Sequence, residues 1–344
     1  MVTPGDPGPR LAALARALGP LARAGDELGS RTTYRVGGPA AVGVVAESLA
    51  DLRVVARVVA EDRAAWGCAV PVVVLGRGSN MLVADRGLSG LAVRLGRGFA
   101  DLKVERPADP SAPDAPTVVR AGGALELPVL ARRTVEVGLG GLEWAVGVPG
   151  SVGGAVRMNA GGHGSDVAAS VVRCAVLDLV AGGTAELGPD ELALAYRRSA
   201  VSSAQVVLWA EFALAEQDTA TGKAAIAQIV RWRRANQPGG SNAGSVFVNP
   251  PDDSAGRLIE AAGLKGHRIG TARVSEKHAN FVMADDGGSG DDVFALIEDV
   301  RARVAARFGV ELATEVRLIG FDPPGPGTPG AGGPGIPGAG GPGR

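Results

Sequence analysis

The sequence has 344 residues, of which 46% are hydrophobic and 21% charged, and its formal net charge is −1. A chain of this length can form two or three units that each bury a core, and its near-neutral charge offers no basic surplus for nucleic acid or an anionic membrane surface. No run of about 18 uncharged apolar residues predicts a membrane span, and the two distant cysteines, Cys68 and Cys174, are typical of reduced thiols. We therefore expect a soluble, unexported, cytoplasmic protein that recognises a small ligand.

The first third of the chain reads as a helix followed by a small α/β unit. Within an N-terminal segment, residues 1–30, leucines at helical spacing predict a short helix over 11–20. From Arg31 onward, β-branched and aromatic residues before Gly37-Gly38-Pro39 predict a strand, a turn and a second strand. Further patterns predict a helix over 49–66, a strand over 72–75, a tight glycine turn and a strand pair ending near Leu95.

The rest of the chain suggests two more units. Residues 107–116 predict a hairpin loop, after which a strand and a helix lead into a glycine-rich stretch, 138–164. A strand pair around Gly182-Gly183, a further strand and a helix over 223–236 follow, and we place a boundary near 216–236. The predicted final elements are helices over 255–262 and 291–308, with strands near 273–274, 280–283 and 315–319. The Gly/Pro-rich residues 321–344 predict a disordered tail.

The glycine-rich stretch points to a ligand held by main-chain groups. Residues 138–164 contain many glycines and few polar side chains, so backbone N–H groups must supply much of the recognition. Together with turns at 74–80, 147–155 and 158–164, this indicates a large, phosphorylated and partly flat ligand. The alternative is an ordinary glycine-rich loop in a chain rich in glycine and alanine.

The same turns exclude two common nucleotide-binding motifs. The sequence GxxxxGK[ST] is absent, and Met81 stands where the third glycine of GxGxxG would be. Separate turns from two successive units instead suit a ligand that crosses their junction, as the pyrophosphate of FAD would.

Eight sequence blocks, in order, resemble the UDP-N-acetylenolpyruvoylglucosamine reductase family. They are RTTYRVGGPA, VLGRGSNMLVADRG, GLEWAVGVPGSVGGAVRMNAGGHG, LAYRRS, NAGSVFVNP, AGRLIEAAGLKG, ARVSEKHANF and LATEVRLIG. The resemblance covers about 31–320 and implies an α+β fold. The implied FAD-binding domain is of the vanillyl-alcohol oxidase type and covers 31–215, in two subdomains of about 31–95 and 96–215. A C-terminal α/β substrate domain, 216–320, follows it.

The resemblance also implies a reaction. In this family NADPH reduces non-covalently bound FAD, which then delivers hydride to UDP-N-acetylglucosamine enolpyruvate, giving UDP-N-acetylmuramate for peptidoglycan precursor synthesis. Hydride transfer to the vinyl carbon leaves enolate character beside a carboxylate, so the site must stabilise charge and supply one proton. The motif match makes Ser245 the proton donor and Arg197, not Arg198, the partner of the carboxylate. Glu315 matches the third catalytic residue, acting either as a protonated hydrogen-bond donor or as an ionised group that orients a donor.

The cofactor-binding residues that the resemblance implies lie in the glycine turns. They are Gly76, Gly78, Ser79, Asn80, Gly147, Pro149, Gly150, Ser151, Gly153, Gly154, Asn159 and Gly161. Tyr196 lines the site or belongs to the core, while Lys265, His267 and Arg268 either approach the substrate diphosphate or form a solvated turn. His163, His267 and His278 lack the spacing of a metal site, so we predict none.

Two departures from the family pattern bear on the substrate. Val248 stands where the family commonly has lysine, so one cationic contact near the substrate is either missing here or replaced by Arg231 or Arg234. Only Tyr34 and Tyr196 are present, so the shorter-loop subtype without a tyrosine lid is implied. The alternative functions are a related FAD-dependent alcohol or sugar oxidase and a catalytically inactive nucleotide-sugar binder.

Overall fold

The computed structural model describes residues 8–107 and 116–322, so most of the predicted loop at 107–116 and of the tail at 321–344 lies outside the described residues. The N-terminal unit is a four-stranded sheet covered by two helices, with strand order β1-β2-β5-β3. Its elements are α1 (Gly8–Leu18), β1 (Ala22–Asp26), β2 (Ala40–Ala46), α2 (Leu49–Trp66), β3 (Val72–Val74), β4 (Met81–Val83) and β5 (Leu88–Leu95).

Helix α2 occupies the predicted residues because both of its ends are marked by local chemistry. The Ser48 hydroxyl accepts from the Asp51 N–H, and the Asp51 carboxylate accepts from the Ser48 N–H, which forms a capping box. Gly67 ends the helix in the left-handed conformation, at φ 74°.

The strand predicted from Arg31 is wrong. Residues Gly29–Arg31 form a 3₁₀ turn, and Arg35 has a left-handed backbone at φ 58°, so this segment does not extend beside β2. Its place is taken by β1, whose sequence ARAGD lacks the β-branched residues that predict a strand. The aromatic signal came from Tyr34, which is fully buried in a different core.

The second unit is built on an antiparallel sheet with strand order β12-β11-β13-β7-β6, and β8 pairs with the end of β13. The predicted strand pair around Gly182-Gly183 is β11 and β12. One face of this sheet packs against α3 and α4, and the other contributes to the core of the first unit. Its elements are β6 (Leu102–Glu105), β7 (Thr117–Gly122), α3 (Leu127–Glu136), β8 (Leu139–Gly140), α4 (Val152–Met158), β9 (Gly161–Gly162), β10 (Ser165–Asp166), β11 (Val171–Asp178), β12 (Thr184–Leu187), α5 (Pro189–Leu192) and β13 (Gln205–Glu216).

The last elements form a third unit, which packs against the other two. They are α6 (Thr219–Asn236), α7 (Ala255–Ala261), β14 (Arg268–Ile269), β15 (Ala272–Val274), β16 (Val282–Ala284), α8 (Gly290–Phe308) and β17 (Arg317–Ile319). Ile226, Ile229 and Val230 of α6 pack on the core of the second unit. The elements that follow α6 form a separate core, the C-terminal core. Tyr34 and Leu82 of the first unit are buried in it.

Strand β17 leaves this C-terminal unit and pairs in parallel with β4 of the first unit. The C-terminal chain therefore returns to the glycine turn at 76–80, which directly precedes β4. None of the helices in the described part of the chain is long and apolar enough to span a membrane.

Candidate active site

A cavity of about 210 Å³ opens where the three units meet. It is lined by Ser79 and Asn80 from the first unit, by the turn at 147–150 from the second, and by residues 242–245 from the third. Arg197, Ser245 and Glu315 all line it, although they are far apart in the sequence. The residues that were predicted to be catalytic thus share one cavity.

Arg197 is fixed in this cavity by two contacts. Its Nε lies 2.8 Å from Oε1 of Glu315, and its Nη2 donates to the Gly161 carbonyl at 3.1 Å. The backbone of Arg197 is left-handed, at φ 54°, which is uncommon for a residue with a side chain. Because a guanidinium carries five N–H donors, these contacts leave donors for an anion in the cavity.

Glu315 is held by its backbone as well as by Arg197. Its N–H donates to the Val246 carbonyl at 2.8 Å, and its carbonyl accepts from Asn80 Nδ2 at 3.1 Å. Burial raises the pKa of the Glu315 carboxyl, and the nearby Arg197 charge only partly offsets this by favouring the ionised form. The cavity therefore favours a proton on Glu315 more than water does.

Ser245 lies at the start of a short extended segment that Asn280 holds in place. The Asn280 side chain accepts from the Phe247 N–H at 2.9 Å and donates to the Phe247 carbonyl at 2.8 Å. On the other side, the Val248 N–H donates to the Ala313 carbonyl at 2.9 Å. Asn280 was not singled out from the sequence, where its place in the block ARVSEKHANF was the available signal. In the structure its side chain is buried.

The glycine turns form a cradle that continues from this cavity. Gly76, Gly78 and Ser79 line an adjoining cavity with Ser151 and Gly154, and Gly153 lines a third cavity. A Cβ at Gly76 would lie 2.5 Å from the Ser151 hydroxyl oxygen, so a side chain there would displace Ser151 from its place in the cradle.

Within the described residues, the backbone N–H groups of 76–79 donate to no other protein atom. They are thus available to phosphate oxygens. The reaction cavity and the adjoining cavity share Ser79, Asn80 and Gly154, which gives an extended diphosphate such as FAD a continuous lining.

Asn159 is the one predicted cofactor residue that does not line these cavities. Its side chain donates to Asp166 and to the Ala195 carbonyl, both at 3.1 Å, and accepts from the Ala168 N–H at 3.0 Å. These internal bonds use its donors and its acceptor. The contacts make Asn159 a residue that shapes the loop beside Arg197.

Helix α6 does bring a cation to the cavity, but not one of the two arginines that we expected. Arg233 lines the cavity, while Arg231 and Arg234 are exposed and do not. The Arg233 Nε donates to Gln237 at 2.8 Å, and burial lowers the pKa of its guanidinium. The sequence did not reveal which face of α6 turns inward, because neighbouring arginines point in different directions on a helix.

The other charged candidate residues have partners outside the cavity. Lys265 pairs with Glu260 at 2.7 Å and His267 with Asp299 at 2.7 Å, and Arg268 pairs with Asp285. Tyr196 is 62% exposed, so the core interpretation is wrong, and its ring lies 5.0 Å from the Arg197 guanidinium carbon. Among the described residues, no cluster of metal-ligating side chains is present.

Two family models together match most of the chain. One described as FAD binding domain matches residues 39–187, and one described as UDP-N-acetylenolpyruvoylglucosamine reductase, C-terminal domain, matches residues 236–319. The predicted α+β architecture, with an FAD-binding domain before a C-terminal domain, is therefore confirmed.

Individual relatives agree with these matches. The chain is 41% identical to UDP-N-acetylenolpyruvoylglucosamine reductase 2 of Symbiobacterium thermophilum over 91% of this chain and 97% of that protein. It is 40% identical to the reductase of Rubrobacter xylanophilus over 88% and 96% of the two chains. The crystal structure of the Thermus caldophilus reductase superposes with a TM-score of 0.70 at 32% identity, covering 87% of this chain and 99% of that one. With these similarities along nearly its whole length, the chain belongs to the UDP-N-acetylenolpyruvoylglucosamine reductase family and is an FAD-dependent oxidoreductase.

Proposed function

We propose that the protein reduces UDP-N-acetylglucosamine enolpyruvate to UDP-N-acetylmuramate in the cytoplasm, with NADPH as the source of electrons. The observation that carries the proposal is the Arg197–Glu315 pair beside Ser245, in a cavity continuous with the glycine cradle. The glycine cradle would hold FAD, and the chemistry that FAD would supply there is hydride transfer from NADPH to the vinyl carbon of the substrate.

Arg197 and Arg233 are the groups that we assign to the substrate's negative charges. Arg197 binds the enolpyruvyl carboxylate through N–H donors that its contacts with Glu315 and Gly161 leave available. As hydride arrives at the terminal carbon, negative charge develops on the carboxylate oxygens, and a guanidinium already in place stabilises it without reorganisation. Arg233 lies in the same cavity and supplies the cation that Val248 does not.

Ser245 donates the proton that completes the reduction. A serine hydroxyl is a weak acid, so it can protonate only a strongly basic carbon, and it must be held on the correct face of the substrate. The two Asn280 hydrogen bonds to Phe247 and the Val248 bond to Ala313 fix the segment that carries Ser245.

Glu315 acts in its protonated form in this proposal. Burial already raises its pKa, and a substrate carboxylate bound at Arg197 would bring a second negative charge close to it. A protonated Glu315 can donate a hydrogen bond to the developing enolate, which an ionised carboxylate cannot do.

The domain assignment is part of the proposal. From the sequence we expected the FAD-binding domain at 31–215, in two subdomains that meet near residue 95, and the substrate domain at 216–320. The packing of α6 on the second unit favours counting that helix with the cofactor part, so the substrate side begins near residue 237.

A half-reaction experiment tests the proposed function. The purified protein should show flavin absorbance, which NADPH should bleach under anaerobic conditions and the enolpyruvyl substrate should restore. A related oxidase would instead be reoxidised rapidly by oxygen without the UDP-sugar, and an inactive binder would not be reoxidised by the UDP-sugar at all.

The Ser245→Ala variant tests the proton donor. Reduction of the flavin by NADPH should be unchanged, while reduction of the substrate should fall by about 10² or more, because general acid catalysis contributes on this order. Ser89→Ala is the matched control, since Ser89 is an exposed serine on β5. Equal rates of substrate turnover in the two variants would contradict the role of Ser245.

A further inference from the structure

A hairpin beside the reaction cavity carries a histidine that the proposed reaction does not use. Strands β9 and β10 pair antiparallel, and His163 and Gly164 form the two-residue loop between them. Both loop residues have positive φ, 54° and 87°, which is the pattern of a type I′ turn, where asparagine and glycine are preferred. A histidine with positive φ is uncommon, and such residues concentrate at functional sites. We therefore expect the His163 side chain to have a function.

The His163 ring packs against the wall of the reaction cavity and against helix α6. A Cβ at Gly147, which lines the cavity, would lie 3.2 Å from Cδ2 and Nε2 of His163 and 3.2 Å from Cγ2 of Ile229. The Trp232 ring meets the imidazole edge-on, with ring centroids 5.0 Å apart and an interplanar angle of 89°. Glycine at position 147 thus leaves room for the imidazole, and Trp232 of α6 holds it.

The same hairpin holds Arg197. The Gly161 carbonyl, on β9, accepts from Arg197 Nη2 at 3.1 Å. Gly161 is paired in register with Asp166 of β10, whose carboxylate accepts from Asn159 Nδ2 at 3.1 Å. A shift of the hairpin would move the carbonyl that fixes Arg197, and the packing of His163 opposes such a shift.

Arg233 is the charged group that faces His163 from α6. Burial, and then the Arg233 charge, lower the pKa of the imidazole, so the ring is neutral at neutral pH. The carboxylates of the other neighbouring elements have partners of their own. Asp166, on the hairpin itself, is held as described, and Glu143, on the segment 143–147, accepts from a backbone N–H at 2.9 Å. Since Arg233 lines the reaction cavity, the imidazole stands beside one of the two cations assigned to the substrate and braces the partner of the other.

We propose that His163 and Trp232 form a clamp that positions the two substrate-binding arginines of the reaction cavity. The imidazole braces the hairpin whose Gly161 carbonyl binds Arg197. Trp232, which directly precedes Arg233 on α6, braces the imidazole in turn. The inference rests on the proposed function, since it presumes an anionic substrate at these arginines.

The charge of Arg233 gives the clamp a measurable dependence on pH. An anion bound beside Arg233 offsets its field, so the pKa of the imidazole is higher in the complex than in the free protein, where it lies below the ordinary value. Binding then takes up a proton between the two pKa values. By linkage, His163 makes the affinity for an anionic substrate rise as the pH falls through that interval.

Binding of the UDP-sugar to the oxidised, FAD-loaded protein tests the clamp. In His163→Asn the Kd, read from the change in flavin absorbance, should rise about tenfold, which is the order of one hydrogen bond to a charged group. Asparagine tolerates the left-handed backbone, so the turn is kept and only the ring is lost. Trp232→Ala should show the same loss, and Trp232→Phe should restore most of the affinity. A Kd for His163→Asn equal to that of the wild type would overturn the proposal.

Trp66→Ala is the matched control. Trp66 is 51% exposed, close to the 48% of Trp232, but it lies at the end of α2 in the first unit. This variant should bind the UDP-sugar as the wild type does, and the FAD content of every variant should be unchanged. Equal losses of affinity in Trp66→Ala and Trp232→Ala would contradict a role specific to the clamp.

The pH dependence is a readout that a merely structural contact would not give. The ratio of Kd values, His163→Asn over wild type, should grow as the pH falls through the interval in which His163 takes up its proton. Glu315 titrates in both proteins, so its contribution cancels in the ratio. A ratio that is independent of pH would overturn the proposal. A wild type that shows these affinity differences but does not reoxidise its reduced flavin with the UDP-sugar would refute the proposed function alone.

Discussion

At the scale of single residues, the raised pKa of the Glu315 carboxyl leads to a prediction about the pH dependence of the reaction. If the protonated form is needed, the rate of substrate reduction should fall as the pH rises through that raised pKa. The Glu315→Gln variant should have a lower rate, because its amide cannot replace the acid fully, and should lose this dependence on pH. Stopped-flow measurement of flavin reoxidation across the pH range checks both expectations.

Stability provides an independent check on Glu315. Because its folded-state pKa is raised, its contribution to the free energy of unfolding is fully present below the ordinary glutamate pKa and is lost as the pH rises through the folded value. The difference in unfolding free energy between wild type and Glu315→Gln, measured in urea, should therefore change over that interval. A difference that is independent of pH would show that the pKa is not raised.

The sequence led to the groups that we propose react, but not to the residues that hold them. Arg197, Ser245 and Glu315 were chosen through their motifs, and the structure gathers them in one cavity. Asn280 and Arg233 were missed because their importance depends on which strand and which helix face they meet. Such contacts are tertiary and leave no local pattern in the sequence.

At the scale of elements, local chemistry explains which predictions succeeded. Helix α2 was predicted at its observed limits from apolar residues at helical intervals, and in the structure a capping box and a terminal glycine define those ends. The strand predicted from Arg31 was wrong, since Tyr34 is buried by a distant part of the chain and not by sheet pairing. Strand β1 was missed because alanine, arginine and glycine carry little strand signal.

The turn between β3 and β4 should not tolerate a side chain at Gly76. In Gly76→Ala, the new Cβ would lie 2.5 Å from the Ser151 hydroxyl oxygen, which now accepts from the Gly154 N–H and caps α4. Moving the hydroxyl would lose a cap worth about 1 kcal/mol. We expect the Kd for FAD to rise about tenfold or more, as measured by titrating apoprotein with FAD.

Gly239→Ala is the control for that substitution, since a Cβ at Gly239 meets no atom within 4 Å. It should bind FAD as the wild type does. Unchanged FAD affinity in Gly76→Ala would mean that the cofactor does not depend on the packing of Gly76 against Ser151.

At the scale of the whole molecule, the units that the sequence suggested are less independent than their order along the chain implies. Tyr34 and Leu82 have no exposed surface, and both lie in the C-terminal core, while β17 pairs with β4. A chain ending at residue 236 would therefore expose apolar side chains of the first unit and leave β4 without its partner.

We expect residues 237–322, expressed alone, not to fold, and the 1–236 fragment to be less stable than the full chain. Circular dichroism and urea denaturation of the two fragments check this, with the full chain as the reference. A cooperative unfolding transition in the isolated 237–322 fragment would show that the C-terminal core does not need Tyr34 and Leu82.

The bond from Asn80 to the Glu315 carbonyl has a thermodynamic consequence. One residue of the cofactor turn thereby supports the backbone of a residue assigned to the substrate, so the two ligands share a structural element. If FAD organises the 76–80 turn and so favours substrate binding, then the substrate must tighten the retention of FAD by the same factor, because coupling between two binding sites is reciprocal. The stability of the loaded enzyme is then a joint property of cofactor and substrate concentrations.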